Sequence, residues 1–207
     1  MQRGSIRSKR SRGKPSHSFM PKILAIAGSL REHSYNKRVL NIAVKGARDA
    51  GGEVTIVDLR DFPMPSYNAD DQEQHGFDEQ ALRLQDVMSE HDGFLIASPE
   101  YNGSIPGGLK NAIDWTSRRN DKYGMYGVYG GKTAAIITAS PGQFGGLRCM
   151  AHLRGVLTIA GVTVLPTEIA VTFVDKKFDS DGDEMNDEKT QALLENLGAS
   201  LAGALNR

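Results

Sequence analysis

Short apolar runs recur along this chain at residues 22–27, 54–57, 93–97, 133–138 and 162–165, and each stops at a cluster of turn-forming or polar residues. Runs of this kind, apolar at successive positions, belong to strands buried on both faces. Between them the apolar residues fall at helical spacing. Val39, Leu40, Ala43, Val44 and Ala47 mark a helix over 36–50, which Gly51 and Gly52 close. Leu82, Leu84, Val87 and Met88 mark one over 77–90, while Leu109, Ala112, Ile113 and Thr116 begin another. Residues 147–160 and 187–205 read as the last two, the final one with a stripe of Leu193, Leu194, Leu197 and Leu201. Strands alternating with helices predict an α/β fold: a parallel sheet covered on both faces, with right-handed crossovers.

With 207 residues and 39% hydrophobic content, the chain can build one well-buried core and hence one domain. Its formal charge is zero but unevenly spread. Residues 1–19 hold Arg3, Arg7, Lys9, Arg10, Arg12 and Lys14 and no acid, which leaves the body at −6. Such a segment is a candidate for nucleic acid or an anionic membrane. This one lacks the apolar residues of an amphipathic anchor or a secretory core. We therefore expect a disordered, dispensable extension at 1–19, a folded domain over 20–207, and neither nucleic acid nor membrane as a partner. No apolar run is long enough to span a bilayer. The single cysteine, Cys149, excludes an internal disulfide, a dithiol pair and a cysteine zinc cluster, and no metal site is expected. A cytoplasmic location is the simplest expectation. Cys149, between Arg148 and Met150 on a helix, reads as packing.

In open α/β sheets ligands sit at the carboxyl ends of the strands, so the loops there carry the chemistry. The loop after the first strand offers Ser29, Arg31, Ser34 and Asn36 beside a helix start, where free N–H groups and a partial positive charge suit a phosphate. Ser34 also fits a helix N-cap. The dinucleotide fingerprint is absent, because no Gly-x-x-Gly follows Gly28. Gly131-Lys132-Thr133 is no phosphate-binding P-loop either: Tyr126 stands where its first glycine is required, and a strand follows. The loop after the third strand is stiffened by Pro99 and Pro106 and made approachable by Gly103, Gly107 and Gly108. Between the prolines it displays Glu100, Tyr101 and Asn102. The loop after the fourth strand runs Ser140-Pro141-Gly142-Gln143-Phe144-Gly145-Gly146. The acidic stretch 179–184 has its glycine at the fourth place rather than the sixth of a calcium loop, and reads as a solvated turn.

These loops, in this order and spacing, closely resemble those of the NAD(P)H-dependent FMN reductase family of flavodoxin-like proteins, which includes quinone-, azo- and chromate-reducing members. The resemblance covers residue 22 to about residue 165, and the last helix more weakly. It implies a flavodoxin-like, doubly wound, five-stranded parallel sheet in the order 2-1-3-4-5. It implies FMN as bound cofactor and NADPH or NADH as hydride donor. Carried over by residue, the phosphate loop falls on Ser29, Leu30, Arg31, Ser34 and Asn36. The isoalloxazine loop falls on Pro99, Glu100, Tyr101, Asn102 and Gly103, and the far side of the ring on Ser140 and Gly142, with Gly145 and Gly146 beyond.

The family reaction passes hydride from nicotinamide to flavin N5 and on to an acceptor at the same face, in ping-pong order. Flavin supplies the reactivity and protein supplies position, so no catalytic side chain is expected. Glu100 is read as acting through its backbone or by fixing its loop, and His33 and His152 as surface or helix residues. The implied partners are a small-molecule electron acceptor and the chain itself, as homodimer or homotetramer. Trp115, Arg118 and Arg119 are candidate contacts, with burial inside its own domain the competing reading for Trp115. The open face is expected near Tyr67, Asn68 and 123–129, where a Tyr- and Gly-rich insertion departs from the family pattern. A flavodoxin-type electron carrier is the alternative, although a strongly acidic surface is expected there. A nucleotide-binding module without redox chemistry is a third reading.

Overall fold

The computed structural model describes residues 20–206 other than 180, 181 and 183. The expected extension at 1–19 and part of the acidic turn lie outside the described residues. The elements run β1 (Lys22–Ala27), α1 (Tyr35–Asp49), β2 (Glu53–Asp58), α2 (Ala69–His75), α3 (Glu79–Ser89), β3 (Gly93–Ser98), α4 (Gly107–Thr116), β4 (Thr133–Ala139), α5 (Leu147–Ile159), β5 (Thr163–Val164), β6 (Ile169–Val171) and α6 (Glu188–Leu205). The sheet is parallel in the order β2-β1-β3-β4-β5, and β6 also pairs with β4. This is the flavodoxin-like order that the family resemblance implies.

Burial follows the apolar runs. Every residue of β3 is buried, as is β1 beyond Lys22, whereas β2 at the edge leaves Ile56 exposed. Side chains of α1 and α6 pack on one face with Ala25, Leu95 and Ile137. Those of α3, α4 and α5 pack on the other with Leu24, Phe94 and Ile136. Registers place Ala27 level with Ala97, and Ala97 level with Ile137, so the loops after β1, β3 and β4 leave the sheet along one edge.

Two elements depart from the sequence reading. The fifth strand is in two pieces: β5 pairs with Thr133 and Ala134, and β6 with Ile137 to Ala139. Pro166 lies between them and has no N–H for a ladder. Arg154 of α5 braces the break, donating from Nη1 to the Val164 carbonyl (3.2 Å), from Nη2 to that of Leu165 (2.5 Å) and from Nε to Glu168 (2.8 Å). Helix α2 buries nothing, so no apolar periodicity announces it; the Asn68 side chain caps its start. On α6 the buried stripe is Leu194, Leu197 and Leu201, while Leu193 is 49% exposed. Among the described residues no helix is long and apolar enough to cross a membrane.

Helices α1 and α6 approach to backbone contact. A Cβ on Gly198 would overlap the Ala43 carbonyl oxygen, and one on Gly46 would overlap that of Glu195. Gly203, on the same helix, has open space around it. Gly198→Ala is therefore expected to destabilise by about 3 kcal/mol through overpacking. Gly203→Ala should stabilise by about 0.5–1 kcal/mol through helix propensity alone. Denaturant midpoints of the two variants check the contrast, and equal midpoints would refute it.

Candidate active site

The loop after β1 starts by extending the sheet, with Gly28 N–H donating to the Ala97 carbonyl (2.8 Å). Ser29 is buried, and its Oγ accepts the Arg31 N–H (3.3 Å). Ser34 caps α1, its Oγ accepting from Asn36 N–H (3.2 Å). Among the described residues the N–H groups of Leu30, Glu32, His33 and Ser34 donate to no protein acceptor. Open donors at a helix start, beside a buried serine hydroxyl and the exposed Arg31, fit a phosphate monoester. Asn36 is buried, and both ends of its amide engage Ala139: Nδ2 donates to the carbonyl (3.0 Å) and Oδ1 accepts the N–H (3.1 Å). Its contribution to a ligand there runs through the helix start it fixes.

The loop after β3 folds back in a two-residue turn. Tyr101 and Ser104 exchange N–H···O bonds of 3.0 Å in each direction, with Asn102 at φ 52° and Gly103 at φ 76°. Positive φ at both central positions is the Asn-Gly signature of a type I′ turn. Ser104 Oγ and His152 Nδ1 share a 2.9 Å hydrogen bond that ties the turn to α5. Glu100 reaches the same helix. Its Oε2 accepts the N–H groups of Arg148 (2.9 Å) and Cys149 (3.1 Å), and its Oε1 accepts Arg148 Nη1 (2.8 Å). Burial alone would raise the carboxyl pKa, but the bonds from Cys149 and Arg148 outweigh it and hold the group below its ordinary range. Cys149 Sγ donates to Ser98 Oγ (3.3 Å), and burial pushes the thiol up, so it is a packed thiol beneath the loop.

The loop after β4 rests on β6. Ser140 donates its N–H to the Val171 carbonyl (3.1 Å), and its own carbonyl accepts Val174 N–H (3.1 Å). Ser140 Oγ accepts Gly142 N–H (3.2 Å), and the Gly142 carbonyl accepts Phe173 N–H (3.3 Å). The structure thus brings the expected loops to one edge, with Pro99 half-buried and the rings of Tyr101 and Phe144 exposed. A planar, partly apolar ring attached to a phosphate fits such a surface, and FMN is a group of that shape.

The outer wall was only partly legible. Asn111 of α4 accepts Tyr67 N–H (2.8 Å) and donates to the Pro65 carbonyl (2.9 Å), so the loop after β2 is pinned to α4. Trp115 is 3% exposed, donates from Nε1 to the same carbonyl (2.8 Å), and meets Tyr67 and Phe77 edge-on. It is therefore buried in its own domain and unavailable as an interface anchor. In 123–129, Val128 and Tyr129 are also buried, the latter sharing a 2.6 Å bond with Thr116 Oγ1, and Tyr123 and Tyr126 are half-buried against the core, which leaves Gly124, Met125 and Gly127 exposed. At the end of β2, Lys37 and Arg60 both grip Asp58 (2.6 and 2.7 Å). Burial opposes ionisation of Asp58, yet the Arg60 and Lys37 bonds hold its pKa well below the usual carboxylate range.

The sheet order defines a flavodoxin-like protein, with the open donors after β1 and the loops after β3 and β4 gathered at the strand ends, where open α/β sheets bind their ligands. Comparison with known proteins is specific. Residues 21–176 match the NADPH-dependent FMN reductase family, and the chain belongs to it. It is 36% identical over 179 residues to an NAD(P)H-dependent FMN reductase of Pseudomonas aeruginosa, covering 86% of this chain and 92% of that one. Identity to a quinone reductase of Escherichia coli K12 is 36%, covering 81% and 86%. To an NAD(P)H:quinone oxidoreductase of Solanum tuberosum it is 39%, covering 84% and 87%. Among solved structures, the NAD(P)H:(acceptor) oxidoreductase of Paracoccus denitrificans superposes with a TM-score of 0.75 at 29% identity, covering 90% and 97%. The chain is thus an enzyme of a family that uses FMN and NAD(P)H.

Replacing Arg31 with alanine is expected to raise the FMN dissociation constant by about one to two decades, the loss of one charge-assisted phosphate contact. Ser29→Ala should have a smaller effect, since its neutral hydroxyl is one donor among several. Fluorescence titration of apoprotein with FMN checks both, and unchanged affinity in the Arg31 variant would remove it from the phosphate site.

Proposed function

We propose that this enzyme oxidises NAD(P)H and reduces a quinone, free flavin, an azo compound or a metal oxyanion such as chromate, in ping-pong order. The observation that carries the reading is the row of open N–H donors before α1, at the same end of the sheet as the loops after β3 and β4. The quinone-reducing relatives at 36–39% identity support a quinone as acceptor. FMN, when bound, supplies the two-electron chemistry. In this reading Ser29, Leu30, Arg31 and Ser34 hold its phosphate, with Asn36 fixing the helix start beneath them. Pro99 to Gly103 and Ser140 with Gly142 bound the ring and exclude water. Partner molecules stack from the side of Tyr67 and Asn68. No side chain need move a proton. We place the enzyme in the cytoplasm, where NAD(P)H is available and a lone, buried Cys149 is undemanding.

One open face admits one stacked partner at a time. Double-reciprocal plots against NAD(P)H at several quinone concentrations should be parallel, and excess quinone should compete with the nicotinamide. Intersecting lines would displace the shared-face mechanism.

The reading includes self-association. A groove of about 640 Å³ runs between α4 and α5, floored by Ile105, Ile113 and Val156 and edged by Ile159, which is 74% exposed. Apolar surface of this kind marks an interface, and we assign it to a second copy of the chain. Ile159→Asp is expected to convert a dimer or tetramer to monomer in light scattering at micromolar protein. A wild-type monomer would reject the assembly.

A further inference from the structure

Helix α5 begins after Gly146, which has no side chain with which to cap it. The cap arrives instead from 48 residues earlier in the chain, where the Glu100 carboxylate takes the N–H groups of Arg148 and Cys149 in the first turn. Carboxylates are favoured at that end of a helix. The Arg148 guanidinium closes the contact from outside while lying over the Phe144 ring, 4.7 Å from its centroid. Its stem lies beneath the type I′ turn, where a Cβ on Gly103 would stand 3.5 Å from Arg148 Cδ. The Glu100 side chain is only 13% exposed. The residue just before Tyr101 and Asn102 is therefore fixed to the helix just after the Ser140–Gly146 loop, and neither wall can shift alone.

We propose that Glu100 is a positioning residue: by capping α5 from another loop, it sets the separation of the two walls against which the cofactor ring and the stacked substrate are aligned. The inference rests on the reading of the site as an FMN site. Glu100 acts through Tyr101, Asn102 and the start of α5, and moves no proton.

The test compares wild type with E100Q, E100A and R148M, each saturated with FMN. It reads kcat and KM for NADPH and benzoquinone, together with the visible circular dichroism of the bound flavin. A glutamine carbonyl oxygen in the place of Oε2 can still accept both N–H groups, but the carboxylate charge is lost and the amide NH2 then faces the Arg148 guanidinium. E100Q therefore weakens the cap where E100A removes it, whereas R148M keeps both backbone bonds and the charge. R148M should stay within about threefold of wild type, and kcat should fall about tenfold in E100Q and up to about a hundredfold in E100A, misalignment being the cause. The flavin signal should change in the same order. If E100A does not fold, the contrast between E100Q and R148M carries the test. Wild-type kcat and flavin signal at saturating FMN in E100A, or in E100Q where E100A does not fold, would show a cap that only stabilises, and would overturn the proposal. Wild type that binds no FMN would instead sink the functional reading itself.

Discussion

The pair of hydrogen bonds between the Asn36 amide and the Ala139 backbone fixes how the first helix stands against the sheet. Asn36 reaches past β3 to the end of β4, completing backbone bonds at Ala139, one residue beyond the last pair of the β3–β4 ladder. Losing a buried partner of this kind leaves groups unsatisfied at about 1–3 kcal/mol each. The consequence for the site is geometric. The loop before α1 is tied through this contact to the Ser140 loop, which continues from Ala139. Backbone contact between α1 and α6 at Gly46 and Gly198 presses the same helix in from behind.

The other walls are set chiefly by the same device, side chains of one element satisfying the backbone of another. Glu100 completes the first turn of α5, and Asn111 and Trp115 pin Pro65 and Tyr67, while Ser140 is held by a backbone bond to Val171. Beneath them Ser98 and Cys149 are buried and hydrogen-bonded to each other. Rigid walls and open donors are what a protein contributes when its cofactor carries the reactivity.

The strands and most helices were legible in the sequence because they rest on local patterns, apolar runs and helix periodicity, whereas the sheet order came from the resemblance of the strand-end loops to those of a known family. The missing parts rest on contacts between distant residues or on no burial at all. Helix α2 has no apolar face to read, and β6 is only Ile169 to Val171, split from β5 by Pro166 and Arg154. Leu193 looked like core because it neighbours Leu194, but one residue is 100° around a helix. Trp115 could not be assigned from spacing, since its partner carbonyl at Pro65 lies 50 residues away. The Asn36 amide and the Glu100 carboxylate are polar residues in turn-rich segments, and nothing local distinguishes a structural partner from a ligand.

The account turns on a bound flavin that nicotinamide can reach, and anaerobic titration of the FMN-loaded protein with NAD(P)H tests it most directly. The prediction is bleaching of the flavin band near 450 nm at about one equivalent of NAD(P)H, with full return of the band on adding benzoquinone. A bound flavin that dithionite bleaches and NAD(P)H does not would contradict the account and make the protein an electron carrier.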